Sequence, residues 1–357
     1  MLTFLSRRAY NLEDYIDIAI QSIVCQNMPC DWELLVGDDG STDGTVEYIN
    51  RWVKKYPTNI KLYQWSKDEV HSMNGFRSAA NRAKLLEKSS GDYIIFLDGD
   101  DCWLGTDKLK KQFDILESEE NTDCSCCGHN ILKVVTEENY SKAMIPLNVP
   151  RRKFSKQQYY HASMYVHTNT ILFRSCCKEL MLNSLYKGFL NDIFITFCML
   201  QYGKMIYIPD TFAQYNYTGT GLWTGAKVVF SKFRNVHLYD LEVNIDPKFE
   251  RTIFDSLCGN MLTILNAYKK EDIPVITPLV EGLDADVFKC TLTLFKLDNL
   301  SKKDLEYKHH LKRRIFISRI RSKLYRICNG MYNVSLRLVQ KKLVNLILFQ
   351  LWRISIH

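Results

Sequence analysis

The stretch Phe96-Leu97-Asp98-Gly99-Asp100-Asp101 limits what this chain can fold into more than any other. An apolar, strand-like run, Tyr93-Ile94-Ile95, leads into it, and Cys102-Trp103 follows. Three carboxylates within four positions repel one another, and burying them unpaired is costly or forces a proton onto one of them. A hard divalent cation removes that cost. Mg²⁺ takes few protein carboxylates and completes its shell with water and phosphate oxygens. The stretch therefore points to a metal–diphosphate platform at the end of a buried strand.

Strand and helix signals alternate before and after it. The pattern predicts strands at Leu2–Leu5, Trp32–Val36, Ile60–Trp65 and Tyr93–Leu97. Between them lie helix signals. Asn11 is the expected N-cap of a first helix, with Asp14 at its third position and Leu12, Ile16, Ala19 and Ile23 on one face. Val46, Ile49 and Val53 mark a second helix, and Ala79, Ala80 and Ala83 a third, begun by the Asn74-Gly75 turn. Thr106 caps a fourth, carrying Leu109, Phe113 and Leu116. Short links between such elements mean βαβ units: an α/β chain with a Rossmann-like, mostly parallel sheet flanked by helices. In these sheets ligands bind beyond the carboxyl ends of the strands. The acidic loops at 37–44 and 98–101 both sit there, so they line one crevice. No glycine-rich phosphate loop of the dinucleotide or P-loop type is present. Further on, the pattern predicts a strand at Thr170–Arg174, a helix start at Ser175 and an apolar helix at Ile193–Tyr202. Two strands, Met205–Ile208 and Thr211–Tyr217, precede a turn-rich stretch at 218–225, and from about Lys227 the chain reads as helical.

Four motifs in this order resemble those of family 2 glycosyltransferases. They are Ala9-Tyr10-Asn11-Leu12-Glu13-Asp14-Tyr15 with Ile23 and Gln26, Val36-Gly37-Asp38-Asp39-Gly40-Ser41-Thr42-Asp43, Phe96 to Asp101, and Asn191-Asp192. The resemblance covers 1–225 and implies the GT-A fold, a nucleotide-sugar donor and transfer with inversion. It implies that Asp39 accepts hydrogen bonds from the uracil edge while Tyr10 packs on the base. By the same resemblance Asp98 holds ribose or assists the metal, Asp100 binds Mg²⁺ or Mn²⁺, and Asp101 orients the turn. Asp192 is then the general base, and Asn191 and Trp223 are acceptor-site positions. His161, His167 and Thr168 are further acceptor-side candidates, each with a structural role as the preferred alternative. Two departures stand out. Arg8 and Ala9 occupy positions where relatives have other residues, and Ala80 replaces an arginine before Asn81. Arg77, one helical turn earlier, projects from a similar face and is the candidate donor-phosphate ligand in its place.

The resemblance divides the chain into a catalytic domain, 1–225, with a nucleotide-sugar half (1–103) and an acceptor half (104–225). A helical region (226–300) and a tail (301–357) form the helical C-terminal extension. Charge sets the tail apart. The chain carries a net +7, yet residues 301–357 hold 14 Lys/Arg against 2 Asp/Glu. Ile317, Ile320 and Leu324 lie on one helical face there, with Lys312, Arg319, Lys323 and Arg326 on another, a pattern suited to an anionic membrane surface, with packing on the catalytic body or on a second subunit as the alternative. Val344–Leu351 is apolar but far short of the roughly 20 residues a span needs. Arg7 and Arg8 interrupt any secretory signal, so the twelve cysteines read as reduced thiols in a cytoplasmic protein, peripheral at the inner face of the membrane. The cluster Cys124-Ser125-Cys126-Cys127-Gly128-His129 lacks a second ligand pair at zinc-finger spacing.

The expected activity is metal-dependent transfer of one sugar, with inversion, from a UDP-sugar to a hydroxyl of a glycan or lipid-linked glycan, as in surface-polysaccharide assembly. A GT-A-like nucleotidyltransferase needs a glycine- and lysine-rich opening loop, which Leu2–Asn11 lacks. A non-catalytic carbohydrate-binding or scaffold protein does not need Asp98, Asp100 and Asp192 together. No nucleic-acid partner is expected, because the basic tail comes with no recognised binding motif.

Overall fold

The structure is a computed structural model that describes residues 1–65, 77–135, 140–145, 149–161, 166–183 and 190–217, with 235, 238–239, 241–249, 260 and 313. The chain forms two compact units, one of 1–156 with 165–225, the other of 157–164 with 226–357. Trp223, the 218–225 turn and nearly all of the expected helical region and basic tail lie outside the described residues.

The first unit is built on one ten-stranded sheet. Its strands are β1 (Leu2–Ala9), β2 (Trp32–Asp38), β3 (Ile60–Gln64), β4 (Tyr93–Asp98) and β5 (Cys102–Trp103), then β6 (Cys124–Val135), β7 (Tyr140–Ala143), β8 (Arg152–Phe154), β9 (Leu172–Arg174) and β10 (Lys204–Tyr217). The order across the sheet is β3-β2-β1-β4-β9-β6-β10-β5, with β7 on β6 and β8 on β10. Among the described residues the α-helices are α1 (Ile16–Val24), α2 (Thr45–Lys55), α3 (Arg77–Lys88), α4 (Lys108–Glu117), α5 (Lys156–His161), α6 (Lys178–Met181) and α7 (Asp192–Tyr202), of which α5 belongs from residue 157 on to the second unit.

The β3-β2-β1-β4 half is parallel, as the alternating pattern predicts. Every residue of β4 is buried, which is what a central strand covered on both faces requires. Phe4 of β1 packs edge-on against Trp103, and Leu2, Leu34, Val36, Ile95 and Leu97 join the same core. The other half is mixed. β9 runs antiparallel to β4 and β6, and β6 pairs in parallel with β10.

Two local expectations, at Asn11 and at 205–217, are corrected. Asn11 is not the cap of α1, which begins at Ile16. Asn11 instead takes a left-handed conformation (φ 52°), which Asn tolerates better than most residues. Its Oδ1 accepts from the Thr42 amide (2.9 Å) and its own amide donates to Ser41 Oγ (3.0 Å), so it binds two loops together. The two strands expected at 205–208 and 211–217 are one, β10. Pro209 looks like a strand breaker, but it falls between Ile208 and Thr211, where the pairing with β6 shifts register and no donor is needed. The cysteine cluster forms the start of β6, with Cys124, Cys126 and Cys127 buried. Burial raises the Cys124 thiol to about 11 and the Cys127 thiol to about 12.

Candidate active site

Sheet register assembles the first wall. Ala9 at the end of β1 lies opposite Asp38 of β2, and Arg7 lies opposite Asp98 of β4. Two aspartates therefore flank the carboxyl end of β1, roughly 10 Å apart at ordinary strand spacing. Tyr10 comes next and stands on the rim, 38% exposed. The segment 11–13 is held against 41–45: Leu12 N donates to Thr45 Oγ1 (2.7 Å) and Gly44 N donates to Glu13 Oε2 (2.8 Å).

The adjacent aspartates of the first loop have different work. Asp38 is fully buried and fastens the turn by accepting from the amides of Gly40 and Ser41, each at 3.1 Å. Asp39 is held from α3. Asn81 Nδ2 donates to Asp39 Oδ1 (2.7 Å) and to the Gly37 carbonyl (2.9 Å). This fit requires glycine at 37, because a Cβ there would lie 2.0 Å from Asn81 Oδ1. Trp65, just past β3, donates its indole N–H to Asn81 Oδ1 (3.4 Å). Arg77 opens α3, but its side chain lies outside the described residues.

The second wall is the turn after β4. The Asp101 amide donates to the Asp98 carbonyl (3.0 Å), closing the turn. Ligand oxygens of Asp98, Asp100 and Asp101 all lie within 4.8 Å of one another. Asp98 and Asp101 are buried, and Asp100 is half-buried. Converging carboxylate oxygens suit a hard cation such as Mg²⁺ or Mn²⁺. Two amides from the mixed half of the sheet brace the turn. Asn169 Nδ2 donates to Asp98 Oδ2 (3.3 Å) and to Asp101 Oδ2. Asn216 of β10 donates its backbone N–H to Asp101 Oδ1 (2.9 Å) and its Nδ2 to the Asp100 carbonyl (2.7 Å).

Asp192 is the first residue of α7, and Asn191 is its N-cap, accepting from the Phe194 amide at 2.9 Å. Asp192 Oδ1 accepts from Arg82 (3.0 Å) and from Thr168 Oγ1 (2.9 Å). Arg82 is nearly buried, and it also donates to the Leu190 carbonyl (2.6 Å). Tyr215 joins the two acidic groups. Burial, then the charges of Asp101, Asp100, Asp98 and Asp192, push its hydroxyl up to about 12. The His167 ring lies 5.2 Å from the Tyr215 ring. The side chain of His161 lies outside the described residues.

The motifs reveal Asp39, Asp98, Asp100 and Asp192. They do not reveal Asn81, Arg82, Asn169 or Asn216, which hold those carboxylates. Asn81 and Arg82 sit in α3 one and two places beyond Ala80, the position of the missing arginine. Asn169 and Asn216 carry no local signal, since they reach the turn only through sheet pairing.

The contact between Gly37 and Asn81 is directly testable. Gly37→Ala should cost about 1–3 kcal/mol by overpacking, measured by urea denaturation. In an Asn81→Ala background the same substitution should cost much less. An equal cost in both backgrounds would contradict the contact.

Residues 8–181 match Glycosyl transferase family 2. An uncharacterized protein of Mycobacterium tuberculosis is 25% identical over 227 residues, which is 63% of this chain and 61% of that protein. The poly(ribitol-phosphate) beta-glucosyltransferase of Bacillus spizizenii is 32% identical over 136 residues, 38% of this chain and 20% of the relative. The chain thus spans less than two thirds of the length of either relative. Among solved structures, S. aureus TarS 1-349 in complex with UDP-GlcNAc aligns with a TM-score of 0.59 at 15% identity, covering 92% of this chain and 90% of that one. This likeness shows the shared α/β fold. The segment 8–181, which carries both acidic strand-end loops, belongs to glycosyl transferase family 2.

Proposed function

We propose that the chain is a metal-dependent, inverting glycosyltransferase that moves one sugar from a nucleotide-sugar to an acceptor hydroxyl. The observation that carries this is the nearness of two acidic groups: the Asp98–Asp101 turn accepts from Asn169, and Asp192 accepts from the adjacent Thr168 and from Arg82. In this reading Asp39, oriented by Asn81, accepts from the nucleobase edge, and Tyr10 covers the base. Asp98 and Asp100 hold the cation and the donor, with Arg77 on donor phosphate. A bound Mg²⁺ or Mn²⁺ supplies positive charge for the leaving diphosphate. Asn191 and Trp223 belong to the acceptor side.

Asp192 takes the proton from the acceptor hydroxyl as its oxygen attacks the anomeric carbon. The new carbon–oxygen bond forms on the face opposite the breaking bond to diphosphate, so configuration inverts. An aspartate is a weak base, with an ordinary pKa of about 3.9, and acts here through position. Its Oδ1 is fixed by two donors, a guanidinium and a hydroxyl, from different elements. UDP is the nucleotide we assign, supported by the sequence of the Asp39 loop and by the UDP-GlcNAc complex of TarS, which shares the fold. A glycan or lipid-linked glycan acceptor in surface-polysaccharide assembly fits the poly(ribitol-phosphate) beta-glucosyltransferase among the relatives.

Among the described residues no helix is long and apolar enough to cross a membrane. We place the protein at the cytoplasmic face of the membrane through the excess positive charge of 301–357. The full chain should sediment with vesicles containing anionic lipid, and a chain ending at residue 300 should not. Equal sedimentation of both contradicts the anchor.

Nucleotide release measured over UDP-, GDP- and dTDP-sugars tests the activity. UDP should be released from a UDP-sugar, with the signal lost in EDTA and restored by added Mn²⁺ or Mg²⁺. Asp100→Asn should lower turnover by roughly 10²–10³-fold, the scale of losing one electrostatic stabiliser of a developing charge. Release that survives EDTA and the Asp100→Asn substitution contradicts the metal-dependent reading.

A further inference from the structure

The donors on Asp192 and on the acidic turn come from neighbouring residues. Thr168 Oγ1 donates to Asp192, and Asn169 Nδ2 donates to Asp98 and Asp101. Both residues lie in one 3₁₀ turn, Thr168–Thr170, which is fully buried. We propose that this turn is a spacer, in which Thr168 and Asn169 are positioning residues that fix the separation between the general base and the metal-holding carboxylates. The proposal rests on the roles given above to Asp192 and to Asp98–Asp101.

The turn is anchored well beyond what its own three residues need. Thr170 Oγ1 donates to the His167 carbonyl (2.6 Å), which closes the turn on itself. From α4, Gln112 Nε2 donates to the Thr170 carbonyl (2.8 Å) and to the Cys127 carbonyl of β6 (2.6 Å), tying the turn to the sheet. The Trp103 indole donates to the Asn169 carbonyl (3.0 Å). Gly128 of β6 leaves room for the approach: a Cβ there would lie 2.5 Å from Val166 and 3.2 Å from Ile171, the residues on either side of the turn. Lys108, fully buried one helical turn before Gln112, donates to Gln112 Oε1 (2.8 Å) and so fixes which end of that amide faces the turn. A buried, bonded backbone moves as a block. Displacing residue 168 displaces 169 with it.

A residue that fixes a metal ligand or a base from behind is worth roughly 10–100-fold in metal affinity or activity. Each member of the pair should show its own signature. Thr168→Val keeps the shape and removes the hydroxyl; it should lower kcat by roughly tenfold or more while donor KM and Mn²⁺ affinity stay at the wild-type value. Thr168→Ser, which keeps the donor, should restore most of that loss. Asn169→Ala should weaken Mn²⁺ binding by roughly 10–100-fold, read by electron paramagnetic resonance of free Mn²⁺ in the presence of UDP and without acceptor. Far-UV circular dichroism and the unfolding midpoint of each variant report whether the fold is retained. Thr168→Ser and Asn169→Ser, both small and polar, serve where the larger changes do not fold. Wild-type kcat in Thr168→Val, or wild-type Mn²⁺ affinity in Asn169→Ala, overturns the spacer. Asp192→Asn measured alongside separates the two claims. If it abolishes turnover while Thr168→Val does not, the spacer falls and the proposed reaction stands. If Asp192→Asn keeps full activity, the base assignment falls and takes the spacer with it.

Discussion

Two asparagines hold the acidic turn against its own charge. Asn169 reaches Asp98 and Asp101 from one side, and Asn216 reaches Asp101 and the Asp100 carbonyl from the other. Carboxylates this close could not all be buried and ionised without donors on their inner oxygens. The two asparagines answer part of that demand. Neither amide is near the turn in sequence, so much of the mixed half of the sheet exists to deliver them. β10 shifts register past Pro209 yet stays paired with β6 to its end, and there Ala213 and Gln214 also pair with β5. That brings Asn216 to the turn directly before β5. Gly128 lets the 3₁₀ turn sit on β6, which brings Asn169.

The two halves of the sheet thus divide the chemistry. The parallel half presents Asp38, Asp39 and Asp98 at adjoining strand ends, as open α/β sheets commonly do. Within it the neighbouring aspartates separate their roles by burial. Asp38 is spent on holding the turn, and Asp39 is aimed by Asn81. The other half contributes the braces and, through α7, the aspartate at its head. Arg82 links the halves, since it sits in α3 of the parallel part and pairs with Asp192.

Much of the fold was legible in the sequence because its signals are local. Continuous apolar runs gave β2 and β4, and helical periodicity gave the buried faces of α1 and α3. The acidic strand-end loops were legible for the same reason. Errors came where a local signal served a distant partner. Asn11 has the chemistry of a helix cap, yet it bonds Ser41 and Thr42 in another loop. Pro209 reads as a strand end, yet it occupies a register shift inside β10. Lys108 and Gln112 are polar residues of α4, yet both are fully buried, where Gln112 bonds the turn at 168–170 and Lys108 bonds Gln112. Asn81 and Arg82 bond carboxylates 42 and 110 residues away, a pairing that helical periodicity does not show. Asn169 and Asn216 could not be found by any local pattern.

The central claim is a single displacement, with Asp192 on one side of the anomeric carbon and the diphosphate leaving from the other. The anomeric configuration of the transferred sugar tests it most directly, read by proton NMR of the first product formed from a UDP-sugar of known configuration. The arrangement predicts inversion: an α-linked donor gives a β-linked product. Retention would require a second displacement or departure and attack on one face, and would contradict the account.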